Sequence, residues 1–116
     1  MAWTGTWRNQ YGSRLTITDE SEGRLRGTFR TALVDSGFFG LDVEVAGVHC
    51  GACVSFAFAA ATPKGDMACA FTGLLRDGRI ETMWHVAADR AADGQGPRPW
   101  PHAVTVNADT FERAAG

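Results

Sequence analysis

The chain lacks any long hydrophobic run. No stretch approaches the ~20 apolar residues that a membrane-spanning helix needs. It also lacks a bias of charge: the net charge is −2, with acidic and basic residues mixed along the chain. Domains that bind nucleic acid usually show a basic face, so neither membrane nor nucleic acid is expected as a partner. Met1 leads straight into the first strand pattern, and no signal peptide is read. No segment keeps a helical period for long. Ser-His-Asp order, a nucleophile motif and paired catalytic carboxylates are all missing. Asp109 is a lone acid without an evident partner to orient it as a base. No enzyme is expected, and no catalytic residue is assigned. Cysteine is scarce and odd in number: Cys50, Cys53 and Cys69 allow at most one intramolecular bridge. Cys50-Gly51-Ala52-Cys53 has the spacing of a redox motif but not its helix-start context, and it reads as a turn between two strands, with or without a bridge across it. His49, His85 and His102 are too scattered to complete a zinc site, so no metal is expected.

What is present is alternation with period two. Leu15 and Ile17 alternate with Arg14, Thr16 and Thr18. Leu25, Gly27, Phe29 and Thr31 alternate with Arg24, Arg26, Thr28 and Arg30, and Leu41, Val43 and Val45 with Asp42, Glu44 and Ala46. Each set gives one inward and one outward face. Gly-rich and polar clusters punctuate these runs, and Asp77-Gly78 is the strongest turn signal, because a type I′ hairpin turn needs positive φ at both central residues. The pattern predicts eight strands, over 3–9, 13–19, 24–32, 38–48, 53–61, 67–75, 79–87 and 103–112. The Gly-, Pro- and Asp-rich stretch 88–101 reads as the one long loop. At 116 residues the chain is expected to be a single domain, 1–116. The expected fold class is all-β, an eight-stranded antiparallel up-and-down β-barrel, with a β-sandwich as the alternative.

Three strings place small polar side chains on the inward face. They are Gly5-Thr6-Trp7-Arg8-Asn9-Gln10-Tyr11-Gly12-Ser13, Gly27-Thr28-Phe29-Arg30-Thr31 and Asp109-Thr110-Phe111. Their order and spacing resemble the avidin and streptavidin family of biotin-binding barrels, and the resemblance spans almost the whole chain. It implies a ligand, biotin, and no cofactor. In that family an Asn, a Ser and a Tyr donate hydrogen bonds to the ureido oxygen, the logic of an oxyanion hole applied to binding. A Ser or Thr and an Asp or Asn accept from the ureido N–H groups. Asn9, Ser13, Thr31 and Asp109 match these places, and Phe29 stands where the Tyr belongs. Trp84 looks like the family's pocket tryptophan on the seventh strand, and Trp7 reads as barrel-floor core. Trp100 is similar in position to a tryptophan that reaches into a neighbouring subunit's pocket in tetrameric avidins, with the spacing to Asp109 altered by one residue and prolines on both sides.

The departures cluster on strands five and six. Ala60 occupies the place of a pocket tryptophan, and Phe58 on the same face fills part of the gap. Phe71 matches an aromatic wall position. Cys69 stands where a Thr meets the biotin sulfur, Met67 where a Ser meets the valerate carboxylate, and Asp35 would repel that carboxylate. A missing neutral hydrogen bond costs roughly 0.5–1.5 kcal/mol, and a missing aromatic wall about 2–4 kcal/mol. Together these losses weaken binding by about 5–8 kcal/mol, four to six decades relative to streptavidin.

On the opposite face of strands five and six, Ala57, Ala59, Ala61, Ala68 and Ala70 point outward, as do Val104 and Val106 on the last strand. An outer face of small apolar residues lets another sheet approach closely, and family members pair barrels through this region. A homodimer or homotetramer is therefore expected. The alternative function is a carrier barrel for a different small apolar molecule, because Phe58, Met67, Cys69 and Phe71 make the wall greasier. The resemblance is compatible with a secreted or periplasmic home, and nothing in the chain assigns one.

Overall fold

Alternating side chains need two environments, and a closed sheet supplies them as an inside and an outside. In the computed structural model, eight strands close into one antiparallel barrel: β1 (Gly5–Arg8), β2 (Arg14–Asp19), β3 (Arg24–Arg30), β4 (Val43–Cys50), β5 (Cys53–Thr62), β6 (Gly65–Arg76), β7 (Arg79–Asp89) and β10 (Val104–Arg113). Each strand pairs with its neighbours in sequence, and β1 pairs with β10 to close the ring. The structure describes residues 2–34, 36, 38–63, 65–89, 91–92, 96–97 and 104–114. The stretch expected to be one long loop is partly ordered into strands. β7 runs on to Asp89, and β8 (Ala91–Ala92) pairs with β9 (Gly96–Pro97) in a separate two-stranded ribbon.

The sharpest difference from the sequence reading lies before β4. Where the sequence predicts a strand over 38–48, residues 38–40 form turns and the strand starts only at Val43; the turns are closed by Phe39 N–H donating to Ser36 O (3.2 Å) and Leu41 N–H donating to Phe38 O (3.1 Å). Gly40 takes a positive φ of 87° there, which breaks any extended run. Leu41, expected to face inward, is 45% exposed. The Asp77-Gly78 turn between β6 and β7 has φ of 51° and 77°, the pair of positive values that a type I′ turn requires.

The floor of the barrel is apolar. Trp3, Trp7, Leu15, Leu25, Phe56, Ile80 and Phe111 are almost completely buried. The indole N–H of Trp7 donates to Trp3 O at 2.8 Å, so its buried polar atom is paired. Where β2 and β3 meet, the register shifts between Ile17 and Asp19. A Cβ on Gly27 would lie 2.0 Å from Thr16 O, so only glycine allows the two backbones to approach there.

The seam between β1 and β10 is short, with two register pairs, Trp7↔Arg113 and Arg8↔Glu112. Side chains extend it. Arg113 donates to Thr4 O (2.6 Å) and Ala2 O (2.7 Å), and its guanidinium lies 4.2 Å over the Trp7 ring. The N-terminal segment is also held by Glu20, whose carboxylate accepts from the Thr4 hydroxyl and from the Trp3 and Thr4 backbone N–H groups. The Thr4 hydroxyl first, and then those backbone donors, hold the Glu20 carboxyl below its ordinary value of 4.5. A depressed folded-state pKa adds stability above the unfolded-state value, and that part is lost as pH falls through the folded one. Glu20→Gln should therefore melt below the wild type at pH 7, with the gap closing from roughly pH 5 to pH 3. Thermal melts at a series of pH values check this, and a gap independent of pH would contradict it.

Candidate ligand site

β5 runs from the floor at Cys53 towards the opposite end at Thr62. At that end the barrel interior opens into a cavity of about 180 Å³. For scale, an engineered apolar cavity of ~150 Å³ holds benzene, so this one has the volume of a small ring system. Asn9, Ser13, Phe29, Thr31, Phe58, Cys69, Phe71, Trp84 and Asp109 all line it. Of the residues singled out from sequence, Asp35, Trp100 and His102 lie outside the described residues.

One wall of the cavity is polar. Asn9, Ser13, Thr31 and Asp109 are each at least nine-tenths buried. The chain turns sharply after β1, with Asn9 N–H donating to Ser13 O (3.1 Å) and Gly12 N–H to Asn9 O (3.0 Å). That turn fixes the Asn9 side chain, because Asn9 Oδ1 accepts from the backbone N–H groups of Tyr11 (3.0 Å) and Ser13 (2.9 Å). The amide nitrogen must then face the other way, and Nδ2 donates to Asp109 Oδ2 at 2.9 Å, a contact spanning the β1–β10 seam. Ser13 Oγ accepts from Ala32 N–H (2.9 Å), which leaves its own O–H to donate. Thr31 lies just beyond the end of β3, and its Oγ1 accepts from Leu33 N–H at 3.1 Å. Thr82 Oγ1 donates to Asp109 O (2.8 Å), pinning the β10 backbone to β7.

The other walls are aromatic. Phe29 stacks on Phe58 with ring centroids 5.0 Å apart, and Phe71 lies 5.8 Å from Phe29 and 6.3 Å from Trp84. Phe58 and Met67 line the cavity, and Ala60 and Met67 pack, partly buried, against the same core. The indole Nε1 of Trp84 is buried without a hydrogen-bond partner among the described residues. An unpaired buried donor costs about 1–3 kcal/mol, which an acceptor on a bound molecule would relieve.

Sequence reasoning missed two residues that matter here. Phe38, read as the start of a strand, is a turn residue folded back into the barrel, 6.1 Å from the Phe29 ring and 5.3 Å from Phe58. The available signal was an apolar pair, Phe38-Phe39, set between Gly37 and Gly40. Gln10, an exposed residue in the first turn, donates to Asp109 Oδ1 at 3.0 Å and carries no sequence signature of that role.

All three cysteines are free thiols. Cys50 and Cys53 face each other as cross-strand partners at the β4–β5 turn, exposed at the floor end. Cys69 is buried in the cavity wall, and burial, followed by the negative charge of Asp109, pushes its thiol up to about 12. It stays neutral at physiological pH, and the thiolate is the nucleophile. Iodoacetamide at pH 8 should alkylate Cys50 and Cys53 in the folded protein and spare Cys69, which should react only after unfolding in urea. Peptide mapping reads this, and labelling of native Cys69 at the rate of the other two would contradict its placement.

Solved structures share this fold. The bradavidin2–biotin complex is 19% identical, with 96% of each chain covered and a TM-score of 0.76. The rhizavidin–biotin complex is 22% identical over 97% of this chain and 92% of its own, with a TM-score of 0.78. Apo shwanavidin is 19% identical over 97% and 96%, also with a TM-score of 0.78. No curated protein matches the chain in sequence. The sequence profile of the Avidin family matches residues 1–114, and the chain belongs to that family.

Proposed function

We propose that the barrel mouth binds biotin, or a compound with the same ureido ring, and performs no chemistry on it. The observation that carries this reading is the buried Asn9–Asp109 pair, flanked by the Ser13 and Thr31 hydroxyls, at the end of an otherwise aromatic cavity. A ureido group is a carbonyl acceptor between two N–H donors. The Ser13 hydroxyl and the second N–H of Asn9 supply donors for the carbonyl, and Asp109 and Thr31 supply acceptors for the N–H groups. Phe29 has no hydroxyl, so the carbonyl receives one donor fewer than a tyrosine there would give. The rings of Phe38, Phe58, Phe71 and Trp84 enclose the fused apolar part of the ligand. Two of the similar structures are themselves complexes with biotin.

The test is calorimetry with biotin. The biotin–streptavidin pair is among the tightest non-covalent complexes known, and a loss of four to six decades puts the expected Kd on the order of 10⁻¹²–10⁻⁷ M. No heat and no thermal shift at millimolar biotin would remove this reading. If an uncharged apolar ring compound then raised the melting temperature, the greasy wall of Phe58, Met67, Cys69 and Phe71 would favour the alternative, a carrier of apolar molecules.

We also propose that two copies associate through the outer face of β5, β6 and β10. Ala57, Ala59, Ala61, Ala68 and Ala70 are all exposed there, and Val106 is 53% exposed. Covering a contiguous apolar face removes a liability that a monomer would carry. Light scattering coupled to size exclusion should report a dimer or a higher even assembly at micromolar concentration, and a stable monomer would contradict it.

A further inference from the structure

The proposed ligand contact of Asp109 depends on where its carboxylate points, and the structure holds that carboxylate from two sides. Asn9 Nδ2 donates to Oδ2 at 2.9 Å, and Gln10 Nε2 donates to Oδ1 at 3.0 Å. Gln10 does more than this. The same Nε2 donates to Ala108 O at 3.1 Å, and Gln10 Oε1 accepts from Thr110 N–H at 3.0 Å. Ala108 and Thr110 flank Asp109 on β10, and these are the backbone groups that a continuing β1 strand would have paired. Continued, the register Trp7↔Arg113, Arg8↔Glu112 would set Asn9 against Phe111 and then Gln10 against Thr110. The β1 backbone cannot supply that pairing, because the chain has already entered the Asn9–Ser13 turn. A side-chain amide carries the same donor and acceptor as a peptide, so it can replace one in a ladder. Thr110 N–H can only donate, which fixes the oxygen of the Gln10 amide towards it. Both amide hydrogens are then aimed at Ala108 O and Asp109.

We propose that Gln10 is a positioning residue for the ligand site: its side-chain amide extends the β1–β10 seam and, through that anchorage, orients the Asp109 carboxylate for the ligand. The inference rests on the proposed binding mode. Gln10 acts only through Asp109, so its contribution to affinity vanishes when Asp109 is absent.

A double-mutant cycle with biotin as the probe tests this by calorimetry. Gln10→Ala in the wild type should weaken binding by roughly 5–20-fold, less than the ~10–150-fold of a direct charge-assisted hydrogen bond, because Gln10 touches Asp109 and not the ligand. In an Asp109→Ala background the same change should alter the Kd by less than about 2-fold. Amide hydrogen exchange at Thr110 separates the two halves of the role. Gln10→Ala should deprotect that N–H. Gln10→Glu keeps the acceptor and its protection, but loses the donors and places a second carboxylate against Asp109, so it should bind biotin at least as weakly as Gln10→Ala. An equal factor in both backgrounds, no change in the wild type, or wild-type affinity in Gln10→Glu would each overturn the proposal. If Asp109→Ala itself left biotin affinity unchanged, the binding mode would fail and the role of Gln10 with it. An affinity loss in Asp109→Ala together with additive Gln10 effects would overturn the positioning role alone.

Discussion

Phe71→Ala is expected to destabilise the barrel by about 3–5 kcal/mol, a large part of the 5–15 kcal/mol that holds a typical domain folded. Phe71 lies at the centre of the aromatic cluster that joins the floor to the cavity. Its ring is stacked 4.8 Å from Phe56, edge-on 5.7 Å from Phe111, and within 6.3 Å of Phe29, Phe58 and Trp84. Removing it forfeits the transfer energy of a buried ring and leaves a void among neighbours that are themselves tightly packed. Phe71→Leu keeps most of the volume and should cost under about 1.5 kcal/mol. Urea unfolding with the slope held constant measures both. A loss below about 1 kcal/mol for the alanine variant would mean that the cluster collapses into the gap, and that the cavity above it is softer than the packing implies.

The second large effect concerns binding. Asp109→Ala should weaken biotin by about 1–3 kcal/mol, or roughly 5–150-fold, because it removes an acceptor from a buried ligand donor. It also strands Asn9 Nδ2 and one hydrogen of Gln10 Nε2, which lose their partner in the same step. Asp109→Asn separates these contributions. An amide at this place offers one acceptor oxygen and turns an NH₂ against a donor, so one of the two side-chain bonds must break. Its affinity should fall between those of the wild type and the alanine variant. Calorimetry on the three proteins gives the order, and an unchanged Kd in Asp109→Ala would place the ligand elsewhere.

Much of the barrel was legible because period-two alternation has a single physical cause, one wet and one dry face. β2, β3 and β5–β7 follow from it, and Asp77-Gly78 marks a turn for a stereochemical reason independent of packing. The stretch 38–42 misled for an equally physical reason. Phe38 and Leu41 have the side chains of a strand, but Phe38 is apolar because it covers the cavity, and Gly40 sits where an extended chain cannot pass. The polar wall was legible as residue types with inward parity. The bonds that orient it were not. Asn9 spends its oxygen on the backbone of its own turn, and Gln10 uses an exposed side chain to complete a strand that the sequence ends too soon. Neither leaves a pattern, since both depend on how two ends of the chain about 100 residues apart meet across the barrel seam.

A crystal structure of the protein grown with biotin tests the binding mode most directly. The expected result is the ureido ring at the polar wall, with its oxygen within hydrogen-bond distance of Ser13 Oγ and Asn9 Nδ2. Its N–H groups should face Asp109 and Thr31, and its fused rings should lie among Phe38, Phe58, Phe71 and Trp84. Biotin bound on the outer surface, or seated with its carboxylate rather than its ureido group against Asn9 and Ser13, would contradict the reading of this cavity.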